Sequence, residues 1–247
     1  MSDQLRIGVI FPQVLGTYGD TGNGVILAER ARRRGFPADI VSVGLSDPIP
    51  STLDLYVLGG GEDTAQAIAA SRMRSHTGLR RAAEKGTPIL AICASLQVLG
   101  TQYTDAEGRL VEGLGLLDVT TVPRGARAIG EVVEQPLIEG LTEVLTGFEN
   151  HGGATILGPD ASPLGQVLVG IGNGAGDDGA EPRFEGAVQG SVIGSYLHGP
   201  VLARNPQLAD YLLTRALGVD LAELQVPGVE RLRAERLAAA DRKKDAA

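Results

Sequence analysis

The chain has 247 residues, with 22 Lys and Arg against 30 Asp and Glu and a net charge of −8, long enough to bury a substantial core in one or two domains. A surface that negative carries no basic field to hold a phosphate backbone, so nucleic-acid binding is disfavoured. The single cysteine, Cys93, excludes an internal disulfide and a cysteine-built zinc cluster, and makes the cytoplasm the expected compartment.

From the N-terminus, Leu5 to Phe11 is an apolar run closed by Pro12, too short for a signal sequence or a spanning helix. It predicts a first strand. Gly19 to Gly24 then opens a helical stretch that runs through Arg34 and stops at Gly35. Asp39 to Val43 and Leu53 to Leu58 are rich in β-formers, and the second run ends in Gly59-Gly60-Gly61. An Ala- and Arg-rich stretch from Thr64 to Lys85 predicts one helix, stopped by Gly86-Thr87-Pro88. Ile89 to Ile92 predicts a buried strand that turns at Cys93 into a helix through Leu96 to Leu99. Strands and helices alternating at these lengths predict an α/β fold of three layers, a mostly parallel central sheet with helices on both faces.

From Glu112 to Ser195 the pattern becomes short extended pieces punctuated by Gly, Pro and Asp, which predicts additional antiparallel strands. Within it, Gly170 to Gly176 matches a dinucleotide fingerprint poorly and reads as a mobile hairpin. A last helix over Pro206 to Leu217 has Leu208, Tyr211, Leu212 and Leu213 on one broad face. One domain over residues 1–218 is expected, followed over 219–247 by a charged, helix-prone tail, either solvated or docked.

The chemistry centres on Cys93. It follows the apolar strand and precedes a helix, with small neighbours Ala91, Ala94 and Ser95 that a tight strand-to-helix elbow requires. Such an elbow lifts the sulfur above the carboxyl edge of the sheet, and the N-terminus of the following helix stabilises an anionic sulfur there. Of the three histidines, His198 ends the run Ser191 to Leu197 and precedes Gly199-Pro200, placing it at a strand tip above the same edge. It is the expected base. His76 reads as an exposed helix side chain, and His151, in Glu149-Asn150-His151-Gly152-Gly153, as a hydrogen-bonded turn residue beside the site. Gly60 in the triple glycine and the residue after the nucleophile, Ala94, are the expected oxyanion donors through their backbone N–H groups.

Three ordered pieces, Gly59-Gly60-Gly61, Ala91-Ile-Cys-Ala-Ser-Leu-Gln97 and Tyr196-Leu-His-Gly-Pro200, resemble class I glutamine amidotransferases of the CobB/CobQ-like branch. Within that branch, Tyr18-Gly-Asp-Thr-Gly-Asn23, Val111 to Asp118 and Gly147 to Gly153 resemble the GatD family, the glutaminase subunits of lipid II isoglutaminyl synthase. The resemblance spans about Leu5 to Leu217. It implies hydrolysis of L-glutamine and delivery of ammonia to a MurT-like ligase subunit, which holds ATP and Mg²⁺ and amidates the D-glutamate of lipid II. No metal or organic cofactor is implied on this chain. The resemblance also assigns Arg127 to the glutamine carboxylate, with Arg124 the competitor, a role that suits a guanidinium fork.

Two departures stand out. Ala91 and Ser95 replace the glycines usual around the cysteine, and Pro200 stands where an acid would follow the histidine by two residues. The resemblance implies that the partner supplies that acid and that the chain alone is slow; an internal acid such as Asp20 or Glu149 is the alternative. A glutaminase for corrinoid amidation, and a non-catalytic partner-binding scaffold, are the alternatives; Cys93 and His198 together speak against the scaffold.

Overall fold

The computed structural model describes residues 4–174 and 182–244. The elements run β1 (Leu5–Ile10), α1 (Gly22–Arg32), β2 (Ala38–Val43), β3 (Leu55–Leu58), α2 (Asp63–Arg74), α3 (Gly78–Glu84), β4 (Ile89–Ile92) and α4 (Ala94–Leu99). There follow β5 (Gln102–Thr104), β6 (Leu110–Glu112), β7 (Val119–Pro136), β8 (Leu145–Leu157), β9 (Gly165–Val169), β10 (Phe184–Glu185), β11 (Ala187–Gln189) and β12 (Val192–Ser195). The helices α5 (Val201–Arg204), α6 (Pro206–Leu217) and α7 (Val229–Lys244) complete the described chain.

The first sheet has the order β11-β12-β4-β3-β1-β2, all parallel except the edge strand β11. Its middle strands β3 (Leu-Tyr-Val-Leu) and β4 (Ile-Leu-Ala-Ile) are buried at every position, as strands covered on both faces must be. The register shows which helix covers which face. Val9, Val57, Leu90 and Ile193 form one row across the sheet, and a Cβ on Gly24 of α1 would lie 2.7 Å from Val9. The next row, Ile10, Leu58, Ala91 and Gly194, points the other way, and a Cβ on Gly194 would meet Leu96 of α4 at 2.8 Å. Helices therefore cover both faces, as alternation predicts.

The second sheet runs β10-β9-β7-β5-β6, with β8 paired along β7. It is antiparallel except for the β5–β7 pair. Short pieces are expected from the sequence between Glu112 and Ser195, whereas β7 has 18 residues and β8 has 13. Their glycines mark close approach rather than chain breaks: a Cβ on Gly147 would lie 2.6 Å from Leu197, and one on Gly153 would lie 2.6 Å from Thr121. Pro123 is accommodated where the register shifts between Pro123 and Ala128.

The single helix expected over Thr64 to Lys85 is instead α2 and α3, broken at residues 75–77. The break brings Gly78 onto the Ile49 carbonyl, with no room for any Cβ. His76 accordingly lies in the connection, half-buried, and not on a helix surface. The Gly170–Gly176 segment is tied down as far as it is described. Ile171 and Gly172 donate to the Glu149 carboxylate at 2.9 Å each, and the Asn173 side chain bonds both the N–H and the C=O of Gly186. Residues 175 and 176 lie outside the described residues. Helix α7 lies against the body: Arg233 donates to the Arg204 and Val144 carbonyls and pairs with Glu143 at 3.2 Å. No helix among the described residues is long and apolar enough to cross a membrane.

Candidate active site

Strand order decides what meets at the carboxyl edge. Because β12, β4, β3 and β1 are successive neighbours, the segments that leave them, carrying His198, Cys93, Gly59 to Gly61 and Asp20, converge on one point, as ligand-binding loops of open α/β sheets do. Cys93 has φ 52° and ψ −107°, a conformation that L-residues adopt only when the surroundings impose it. The impositions are visible. Its N–H donates to Ser195 O at 2.7 Å, and the Ser95 hydroxyl donates to Gly59 O at 2.6 Å, so the elbow is tied to both neighbouring strands.

His198 is 1% exposed and exchanges backbone hydrogen bonds with Phe148 of β8, at 2.9 and 3.1 Å. Its Nδ1 lies 2.9 Å from Asp20 Oδ2. Burial alone pulls the imidazole pKa down, but the hydrogen bonds to Asp20 and Cys93 and the charges of both outweigh it, and the group is pushed up to about 10. The Asp20 carboxylate is therefore placed to orient the ring and stabilise its cation, as the acid of a nucleophile–base–acid triad is. The resemblance implies an acid from the partner; within this chain it is Asp20, 178 positions away in sequence, that holds Nδ1. Its signal was the polar, glycine-rich loop after β1, which ends over the same sheet edge as Cys93.

Gly60 departs from the expected oxyanion role. Its N–H donates to Asp20 Oδ2 at 2.8 Å, so it is committed to the carboxylate and does not face a substrate oxygen. Gly60 serves the site by its lack of a side chain, since a Cβ there would lie 2.7 Å from His198 and 3.3 Å from Cys93 Cβ. The next residue, Gly61, and Ala94 line the pocket beside Cys93.

The pocket above the sulfur is closed by Tyr18, Gln66, Gln97, Arg127 and Asn150. Arg127 enters it because residues 124–127 fall in the register shift between β7 and β8, which turns the chain out of the ladder. Arg124 points elsewhere and packs against Gly174. The Arg127 Nε donates to Asn150 Oδ1 at 2.6 Å and its Nη2 to Asn150 O at 3.3 Å. His151 stands in β8 and not in a turn; its Nδ1 is 2.8 Å from Gly153 O, and its ring stacks on Tyr196 at 3.7 Å. It thus shapes the wall while His198 faces the thiol. Arg127→Ala is expected to raise KM for an amino-acid substrate by about 10- to 150-fold with a smaller effect on kcat, because a charged hydrogen bond worth ~1.5–3 kcal/mol is lost. Initial-rate kinetics check this, with Arg124→Ala affected less.

Beneath the site, Glu185 accepts the Tyr196 N–H at 2.6 Å and faces the buried Glu134. Burial raises both acids, Glu185 to about 7. The chain leading to His198 is thereby anchored from below.

Comparisons with known proteins agree with this geometry. The CobB/CobQ-like glutamine amidotransferase domain matches residues 6–206. The lipid II isoglutaminyl synthase (glutamine-hydrolyzing) subunit GatD of Staphylococcus aureus (strain N315) is 36% identical over 215 residues, 86% of this chain and 84% of that protein. The subunit of the same name from Streptococcus pneumoniae (strain ATCC BAA-255 / R6) is 35% identical, over 95% of this chain and 89% of its own. A cobyric acid synthase from Cereibacter sphaeroides is 37% identical, but over 62% of this chain and 30% of that protein. Among solved structures, a glutamine amidotransferase superposes with a TM-score of 0.56 at 20% identity, covering 86% of this chain and 99% of that one, which shows the shared fold. With its elbow cysteine, its paired histidine and a domain match over most of its length, the chain belongs to the CobB/CobQ-like glutamine amidotransferase family.

Proposed function

We propose that this chain is the glutamine-hydrolysing subunit of a lipid II isoglutaminyl synthase. The observation that carries the chemistry is the alignment of Cys93, His198 and Asp20 under a pocket whose wall includes the Arg127 guanidinium. The Cys93 sulfur attacks the γ-carboxamide carbon of L-glutamine, and the developing oxyanion is held by the N–H groups of Ala94 and Gly61. His198 gives its proton to the departing ammonia, leaving a γ-glutamyl thioester. The neutral imidazole then takes a proton from water, whose oxygen attacks the thioester; the carbon–sulfur bond breaks, glutamate leaves, and the imidazolium returns its proton to the sulfur. Arg127 holds the α-carboxylate throughout.

The ammonia passes to a MurT-like ligase subunit, which binds ATP and Mg²⁺ and amidates the D-glutamate α-carboxyl of the lipid II stem peptide. The near full-length match to two GatD subunits supports that acceptor over a corrinoid, for which the match is confined to a smaller part of both chains. Co-expression with the ligase and incubation with lipid II, ATP, Mg²⁺ and [¹⁵N-amide]glutamine test the reading. The expected product is ¹⁵N-labelled D-isoglutamine in the stem peptide, by mass spectrometry. Glutamine hydrolysis without label transfer to lipid II would overturn the acceptor, and no hydrolysis at all would overturn the enzyme reading.

A further inference from the structure

Tyr18 is held in an unusual way for a residue with no place in the triad. It has φ 62°, in the left-handed region that a bulky side chain rarely adopts. Its loop is pinned where the Thr17 N–H donates to Gly60 O at 3.3 Å. The tyrosine ring lies 4.7 Å from the His198 ring, tilted by 55°, while 44% of the residue remains exposed. The ring is thus a roof between the imidazole and solvent.

Its hydroxyl reaches in the other direction. Arginine nitrogens only donate, so the Asn150 atom 2.6 Å from Arg127 Nε must be the amide oxygen. The amide nitrogen of Asn150 then donates to the Tyr18 hydroxyl oxygen at 2.6 Å. This chain of bonds uses both ends of the Asn150 amide and an acceptor site of the tyrosine oxygen. Among the described residues it leaves the Tyr18 O–H proton and the Arg127 Nη1 protons unspent, on two residues that line the same pocket. Two donors beside one small pocket suit the two oxygens of a carboxylate.

We propose that Tyr18 is a specificity-determining residue, its hydroxyl set by Asn150 to share the substrate's α-carboxylate with Arg127 while its ring covers His198. Binding of an amino-acid head group then fixes the roof over the imidazole, so that a free amino acid is preferred to a simple amide. The inference rests on the glutaminase reading above and deepens it.

Steady-state kinetics of the full chain with L-glutamine and with 4-aminobutanamide, which keeps the amide but lacks the carboxylate, test it. Tyr18→Phe keeps the ring and loses only the hydroxyl; it is expected to raise KM for glutamine about two- to tenfold, the worth of one hydrogen bond. Selectivity for glutamine over 4-aminobutanamide narrows by the same factor. Asn150→Ala, which frees both partners, gives a KM effect at least as large. Tyr18→Ala removes the roof as well and adds a fall in kcat that Tyr18→Phe does not show. Wild-type KM and selectivity in both Tyr18→Phe and Asn150→Ala overturn the proposal while leaving the glutaminase reading intact. A wild-type chain that turns over neither amide overturns both.

Discussion

Asp20→Asn is expected to lower kcat for glutamine hydrolysis by up to about 10⁴-fold in a chain that still folds and still binds glutamine, because loss of the orienting carboxylate in a comparable triad costs that much. An asparagine keeps the size of the side chain and can still accept the Gly60 N–H bond, but it no longer stabilises an imidazolium at Nδ1. Rates of ammonia release by the isolated chain, wild type against variant, measure this. A variant within about threefold of wild type would return the acid to another source, such as the ligase. The pH dependence of stability carries an independent sign. His198 is raised in the folded state to about 10, so its ion pair with Asp20 contributes in full below the ordinary histidine pKa of ~6.5 and is lost as pH rises through about 10. The melting temperatures of wild type and Asp20→Asn are therefore furthest apart at about pH 6, narrow through neutral pH and draw together towards pH 10. A gap that instead widens with pH would contradict the pairing.

Cys93→Ala is expected to abolish thioester formation, a loss on the order of 10⁶-fold in kcat when a nucleophile acting as a unit with its base is removed. His198→Ala should lose a comparable amount, whereas His151→Ala should lose less, since that ring is spent on Gly153 and Tyr196. Electrospray mass spectrometry after incubation with 6-diazo-5-oxo-L-norleucine, a glutamine-analogue electrophile, shows the same result directly: one adduct on wild type and none on Cys93→Ala. The backbone at this residue adds a separate expectation. With φ 52°, position 93 is strained for any L-residue and relaxed for glycine, so Cys93→Gly should melt above Cys93→Ala although both are inactive. Equal or lower melting for the glycine variant would mean that the elbow stores no strain.

Elements whose causes are local are legible in the chain before it is folded. Pro12, Gly35 and Gly86 punctuate the chain where β1, α1 and α3 are followed by turns, and the apolar runs of β3 and β4 are buried because parallel strands covered on both faces need no polar side. Cys93 was legible as a nucleophile because an elbow needs small flanking residues within two positions, and those are adjacent in sequence. His198 was legible because it stands three residues beyond the end of β12. Where glycine and proline act through contacts with distant segments, the local reading failed. Gly147 and Gly153 look like breaks but are places where Leu197 and Thr121 come close, so β7 and β8 form one long ribbon. Gly78 looks compatible with one continuous helix but requires contact with the Ile49 carbonyl, so the helix divides.

The partners of the nucleophile and base depend on how distant segments pack. The missing acid two residues after His198 is a statement about one loop, whereas Asp20 reaches Nδ1 because β1 lies beside β3 in a sheet whose order is not the order of the chain. The same convergence takes the Gly60 N–H from the oxyanion role and gives it to Asp20. It also joins Tyr18, Asn150 and Arg127 from three separate segments into one wall. Local chemistry fixes which side chains are reactive. Strand order and the register shift in β7 fix which of them meet, because a distance between two loops depends on every strand between them.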